Sequence, residues 1–420
     1  MATGEFEMHL NGLQNLVRTL IMLALGSILC HPLCAQQAPY LPLQRSEDGQ
    51  APLSFMRPHY CIHQAAGAGL TTPPISAFQP TQIRHAYGFD LLSNQGAGQI
   101  IALVDAYDDP NAESDLAVFS QHYKLPAAGT SNGFFRKIYA NGHKPAANAN
   151  WSVEISLDVE WAHAIAPRAT ILLVEAASNN LSDLLKGVDL AVRSGATVVS
   201  MSWDSGEFSG ERNLDNHFVT NGVTFLAASG DGGTGVTYPA ASPDVLGVGG
   251  TSLTLDSHGN YLSETAWSGS GGGLSAYEHQ PLYQAQFGIP DDSRGVRGVP
   301  DVSYNANPGT GYAVYDSVAI NGASGWFQVG GTSAATPQWA AAIAIANSMR
   351  VAVRKPSLAS TETALYSLAK TNLKGEFYPV NQGSNGSCGV ICEALAGYDF
   401  VTGLGTPRAN ALISALVSRP

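Results

Sequence analysis

Apolar and polar positions are distributed in two distinct ways along this chain. Short, almost wholly apolar runs occur at Gln99–Asp105 (QIIALVD), Thr170–Glu175 (TILLVE), Ala196–Ser202 (ATVVSMS) and Val223–Ser229 (VTFLAAS). Runs this short, with no polar face, predict strands buried on both sides. Between them, Glu113–Tyr123, Trp151–Ala166 and Leu181–Ser194 read as helices. Strands that alternate with helices imply parallel βαβ units. The expected class is therefore α/β, with a mostly parallel central sheet and helices on both faces. In such folds chemistry gathers beyond the carboxyl ends of the strands. That rule points to Asp105, Trp203 and Asp231.

The regular pattern starts near Ser76, and one catalytic-size domain is expected over residues 76–420. Residues 36–75 are rich in Pro, Gln and Ala without a clear period, and read as a short leader or linker. Upstream, Arg18 precedes the apolar run Leu20–Cys30. Such a run is too short to span a bilayer and fits the core of a signal peptide. Residues 1–35 are read as that signal, with cleavage after Ala35. The expected location is extracellular or periplasmic, without stable membrane association after cleavage. Cleavage leaves Cys61, Cys388 and Cys392. Export makes a Cys388–Cys392 disulfide reasonable, while Cys61 stays unassigned.

Composition narrows the function. Charged residues make up 13% of the 420, and the net charge is −12. No Lys/Arg cluster exists to displace counterions from a phosphate backbone, so a nucleic-acid partner is excluded. With 45% apolar residues the chain buries a core and is not disordered. A surface poor in ions and acidic overall suits an exported protein working at low pH.

Three segments carry candidate chemistry. In WSVEISLDVEWAHAIAP, Glu154 and Asp158 are four residues apart and share a helix face, about 40° apart in projection. Paired carboxylates repel, which raises the pKa of one and lets the pair share a proton. An ordinary solvated acidic pair has the same spacing. In GGTSAATP, Ser333 lies at a loop-to-helix junction, where it is either an N-cap or a nucleophile favoured by the helix dipole. Pro337 is expected near the first turn, where proline is tolerated. In ASGDGG, Asp231 lies in a glycine-rich turn, either as a turn residue or as a neutral acid that donates to an oxyanion.

A Ser-His-Asp hydrolase needs a histidine base. His163 projects about 140–180° away from Glu154 and Asp158 on the same helix, and is expected at the surface. No HExxH helix and no GxSxG elbow is present. A two-carboxylate glycosidase leaves Ser333 without a role.

GGTSAATP around Ser333, the Glu154/Asp158 pair and SGD at Asp231 together resemble the sedolisin family of serine-carboxyl peptidases. Tyr238–Leu253 (YPAASPDVLGVGGTSL) and Gly397–Pro407 (GYDFVTGLGTP) extend the resemblance over roughly residues 76–407. It implies a subtilisin-like fold and acid endopeptidase activity on protein or peptide substrates, by a monomer. It further implies Ser333 as nucleophile, Glu154 as base, Asp158 as its tuning partner and Asp231 as oxyanion donor. Asp105 and Trp203 would be outer members of the same network. A carboxylate base stays ionised where histidine is protonated, which agrees with work in acid.

The chain departs from the family in three places. The family's long propeptide is expected to be absent or vestigial. Its calcium site begins with an Asp, where this chain has Pro379. Val380, Leu395 and Gly397 retain carbonyls and Asp399 a carboxylate, so Ca²⁺ is expected weakened or absent, with Cys388–Cys392 bracing the loop. Third, the residue after Trp203 is Asp204 where the family has Gly; that carboxylate either reshapes the cleft, favours basic side chains or changes the backbone only. A catalytically silent secreted binding protein on the same fold is the alternative function.

Overall fold

The four expected strands form as Ile100–Ala106, Thr170–Ala176, Val198–Met201 and Thr224–Ala228, and they stand side by side in one eight-stranded sheet. The computed structural model describes residues 33–34, 55–65, 71–290 and 294–420; the run Leu20–Cys30, read as part of a signal, lies outside them. The sheet runs in the order Tyr261–Ala266, Leu246–Leu255, Thr224–Ala228, Val198–Met201, Ile100–Ala106, Thr170–Ala176, Phe135–Tyr139, and Val302–Asn305 also pairs with Leu246–Leu255. Every pairing is parallel except that of Tyr261–Ala266.

Each strand feeds two cores because successive side chains point to opposite faces. Ile101, Leu103, Ile171 and Leu173 pack on one side with the helices Ala149–Ile165 and Thr332–Ala352. Ala102, Val104, Leu172 and Val174 pack on the other with Leu184, Leu185 and Val188 of the Leu181–Arg193 helix. The sheet is thus covered on both faces, as its unbroken apolar strands require. Among the described residues no helix is long and apolar enough to cross a membrane.

The helix Ala149–Ile165 differs from its expected form. Every residue from Trp151 to Ile165 is buried. The segment carries Trp151, Val153, Ile155, Leu157, Val159 and Trp161 at every second position, which spreads apolar groups all round a helix and buries it. His163, expected at the surface, is buried with its Nε2 at 2.8 Å from the Pro126 carbonyl. Burial lowers its pKa to about 4. Asn148 caps this helix, its side chain accepting from the N–H groups of Asn150 and Trp151.

The leader also takes regular structure in part. Arg57–Pro58 pairs antiparallel with Trp203–Gly206, and Cys61–Ala65 pairs antiparallel with Ala323–Gly330. Leu33–Cys34 continues that second sheet, with Cys34 opposite Cys61. Cys61, unassigned from sequence, is disulfide-bonded.

Candidate active site

The three segments singled out in sequence converge at the carboxyl ends of the central strands. Ser333 is the second residue of the Thr332–Ala352 helix and is fully buried. Its Oγ donates to the Ser202 carbonyl at 3.3 Å. Pro337 lies one turn further on than expected; lacking an N–H, it leaves the Ser333 carbonyl without its intrahelical donor.

Glu154 faces this serine from the buried Ala149–Ile165 helix, and Asp158 lies one turn further along it, both with no exposed surface. Burial raises the Glu154 pKa well above the usual carboxylate range, and Asp158, Asp105 and Asp231 add to it, whereas the Ser333 hydroxyl favours its charged form. Asp158 is likewise raised by burial and by Asp105, and is opposed by the Ser202 hydroxyl, which donates to Asp158 Oδ1 at 2.8 Å. Asp105 ends the row, buried, raised by burial, with neither oxygen hydrogen-bonded. Three buried carboxyls that raise one another's pKa cannot all ionise, so they hold protons in common. The Trp203 indole donates at 2.7 Å to the Val104 carbonyl, next to Asp105, and fixes this strand end.

Asp231 approaches from the other side. Its Oδ1 accepts both the backbone N–H and the hydroxyl of Thr332, each at 2.8 Å. Its Oδ2 has no partner and faces Gly331. Burial raises its pKa to about 6, although the His59 charge and the Thr332 bonds pull it down. Gly331 has φ +127°, and a Cβ there would collide with the His59 carbonyl oxygen and lie 2.6 Å from Asp231 Oδ2.

Residues 57–61 of the chain itself run across this site. The Ser333 backbone N–H donates to the His59 carbonyl at 3.3 Å. Before this point Arg57 and Pro58 pair with Asp204 and Trp203; after it Cys61 pairs with Gly330. The His59 ring feels Asp204 and Asp231, while the Tyr60 phenol feels Glu154 and Asp316. The His59–Tyr60 peptide therefore crosses the serine with its carbonyl beside an N–H and a carboxyl.

Sequence reasoning missed Ser202, Thr332 and His59. Ser202 and Thr332 were legible only as neighbours of the singled-out segments. His59 lies in a stretch with no pattern.

The 379–399 loop does not fit calcium. Among the four positions expected to hold Ca²⁺ there is one carboxylate, Asp399, whose oxygens already accept the N–H groups of Leu395, Val401 and Thr402 and the Thr402 hydroxyl. A dication held by a single side-chain charge is poorly served. Cys388 and Cys392, in the same loop, are bonded to each other, and Val380 is buried. A different acidic group exists: Asp109, Asp115 and Asp316 are buried, each with an oxygen within 4.8 Å of the others, and could hold a metal ion.

Comparison with known proteins gives the family. The pattern of the subtilase family matches residues 139–377. Kumamolisin of Bacillus sp. (strain MN-32) is 31% identical over 90% of this chain and 72% of its own length. Physarolisin of Physarum polycephalum is 28% identical over 81% of this chain and 68% of its own. The structure of Pseudomonas sedolisin, a serine-carboxyl proteinase complexed with pseudo-iodotyrostatin, superposes with a TM-score of 0.71 at 26% identity, covering 82% of this chain and 98% of that one. Fold and relatives of this extent place the chain in the sedolisin family of serine-carboxyl peptidases.

Proposed function

We propose that this peptidase is an exported endopeptidase acting in acid, with Ser333 as nucleophile, Glu154 as general base, Asp158 and Asp105 as the proton-sharing groups behind it, and Asp231 as oxyanion donor. The observation that carries the reading is the His59 carbonyl, held by the Ser333 N–H beside the free oxygen of Asp231. Ser333 Oγ bonds to the substrate carbonyl carbon as its proton passes to Glu154. The carbonyl oxygen gains charge and is received by the Ser333 N–H and the Asp231 carboxyl proton. The C–N bond then breaks, and the leaving amine takes the proton from Glu154. Water then bonds to the acyl carbon as its proton passes to Glu154, and the acyl C–O bond breaks as Ser333 Oγ takes that proton back.

Glu154, Asp158 and Asp105 share protons, so the base is supplied by the charge that this group retains, while Asp231 keeps its own proton below about pH 6. Asp231 must keep its proton, which ties activity to low pH. The test is hydrolysis of denatured casein between pH 3 and 5 by wild type and Ser333→Ala. Wild type should release peptides and the variant should lose at least about 10³-fold. Unchanged proteolysis in Ser333→Ala overturns the reading, and no proteolysis by wild type leaves the silent binding protein.

A further inference from the structure

Asp204 is the residue the family resemblance does not account for, and the structure gives it a specific neighbour. It lies on the Trp203–Gly206 strand, buried at 3% exposure, and its Oδ1 forms an ion pair with Nε2 of His59. His59 is the residue whose carbonyl meets the Ser333 N–H, so its side chain is that of the acyl-side residue of a cleaved bond. The imidazole is itself buried at 1% exposure. Asp204 Oδ2 has no hydrogen-bond partner and lies against Gly230, 3.1 Å from where a Cβ would stand. Gly230, at φ +110°, leaves that room, and Thr237 borders the same space. The pocket thus has one carboxylate oxygen engaged and another available.

We propose that Asp204 makes this peptidase select a basic acyl-side residue, histidine, lysine or arginine, by pairing its carboxylate with the cationic side chain beside Ser333. The inference rests on the peptidase reading above. Charge in the pocket agrees with it. Burial alone lowers the pKa of His59, yet Asp204 and then Asp231 outweigh burial and the nearby Arg57 and raise it. In acid a histidine is a cation like lysine and arginine, so all three fit one selection rule. A neutral or acidic side chain leaves a buried carboxylate unpaired, the costlier error in a closed pocket.

The test uses the full chain at pH 4 to 5 and peptides copied from its own residues 56–62, Met-Arg-Pro-X-Tyr-Cys-Ile with serine for the cysteine. X is His, Arg, Lys, Gln, Leu or Glu. Wild type should cut after X with kcat/KM for the basic peptides roughly 10- to 100-fold above that for Leu, and further above Glu. Asp204→Asn, close to isosteric, should collapse the Arg-to-Leu ratio by a similar factor, and Asp204→Lys should invert the order of Arg and Glu. Cleavage after Leu as fast as after Arg by wild type overturns the inference while leaving the peptidase intact, and this arm decides even if a variant does not fold. An Arg-to-Leu ratio unchanged in folded Asp204→Asn also overturns it. No cleavage of any peptide or of casein by wild type overturns the peptidase reading and takes this inference with it.

Discussion

The backbone N–H of Ser333 and the carbonyl of His59 are hydrogen-bonded across 3.3 Å, so the His59–Tyr60 peptide lies across the serine proposed as nucleophile. Substrate must displace it. The full chain should therefore show a lag when assayed at pH 4 with a fluorogenic peptide. His59→Ala removes the pair with Asp204 and should shorten that lag several-fold. Progress curves without a lag in wild type, or with an equal lag in the variant, count against an occupied cleft.

Gly331 controls access to the same point. Its φ of +127° is strained for any L-residue, and an added Cβ enters the space shared by the His59 carbonyl and Asp231 Oδ2. Gly331→Ala should cost roughly 1–3 kcal/mol of stability for the backbone strain. It should cost far more in activity, because the substrate carbonyl takes the leader's place. Urea unfolding and kcat/KM measured together separate the two effects. Activity that falls only in proportion to folded protein argues against this assignment.

How far these features are legible in sequence differs by element. The strands were legible because a buried parallel strand must be apolar on both faces, and Ile100–Ala106 and Thr170–Ala176 are. Glu154, Asp158, Asp231 and Ser333 were legible as motifs, but their convergence was not: it depends on strand ends brought together by the sheet order. Arg57–Pro58 and Cys61–Ala65 were illegible because the strands they pair with, Trp203–Gly206 and Ala323–Gly330, are remote in sequence. His163 was misjudged because its helix is apolar all round, so the face opposite the acids is interior too. Asp204 stood out as an unusual residue, and only His59 gives it a use.

On the proposed mechanism Asp231 should set the upper limb of the pH profile. Its pKa is about 6 with His59 beside it, and the His59 charge is one of the influences lowering it. Departure of the leader removes that influence. The protonated form donates, so activity should fall as pH rises through 6 or somewhat above. Asp231→Asn supplies an N–H donor that does not titrate. It should lower kcat by about 10²-fold or more and move the upper limb to higher pH. An upper limb in the same place in this variant assigns the limb to another group.

Buried carboxyls tie the fold itself to acid. With no cation on the Asp109–Asp115–Asp316 group, burial raises Asp109 to about 6, and Asp316 and Glu362 each to about 8, against ordinary values of 3.8 for Asp and 4.5 for Glu. Folded pKa values above the unfolded ones mean that the folded state binds more protons. The stabilisation is fully present below about pH 4 and is lost as pH rises through 6 to 8. The melting temperature should fall by roughly 5–10 °C between pH 5 and pH 8.5. Asp316→Asn, which cannot ionise, should flatten part of that fall. A melting temperature that rises with pH over this range contradicts the assignment of neutral buried acids.

Asp399 acts as the clamp of the 379–399 loop. Its carboxylate gathers three backbone N–H groups and the Thr402 hydroxyl, and burial sets its pKa at about 6. Asp399→Ala leaves those donors buried without an acceptor, at about 1–3 kcal/mol each where water cannot reach them. The variant should lose about 3 kcal/mol or more in urea unfolding at pH 7, where Asp399 is ionised. A chelator should add little to that loss, because a loop closed by hydrogen bonds and by the Cys388–Cys392 bond needs no cation. Chelation of wild type that reproduces the full loss, and has no effect on Asp399→Ala, would instead place a cation on Asp399. The two outcomes differ in one comparison, the chelator effect on wild type against its effect on the variant.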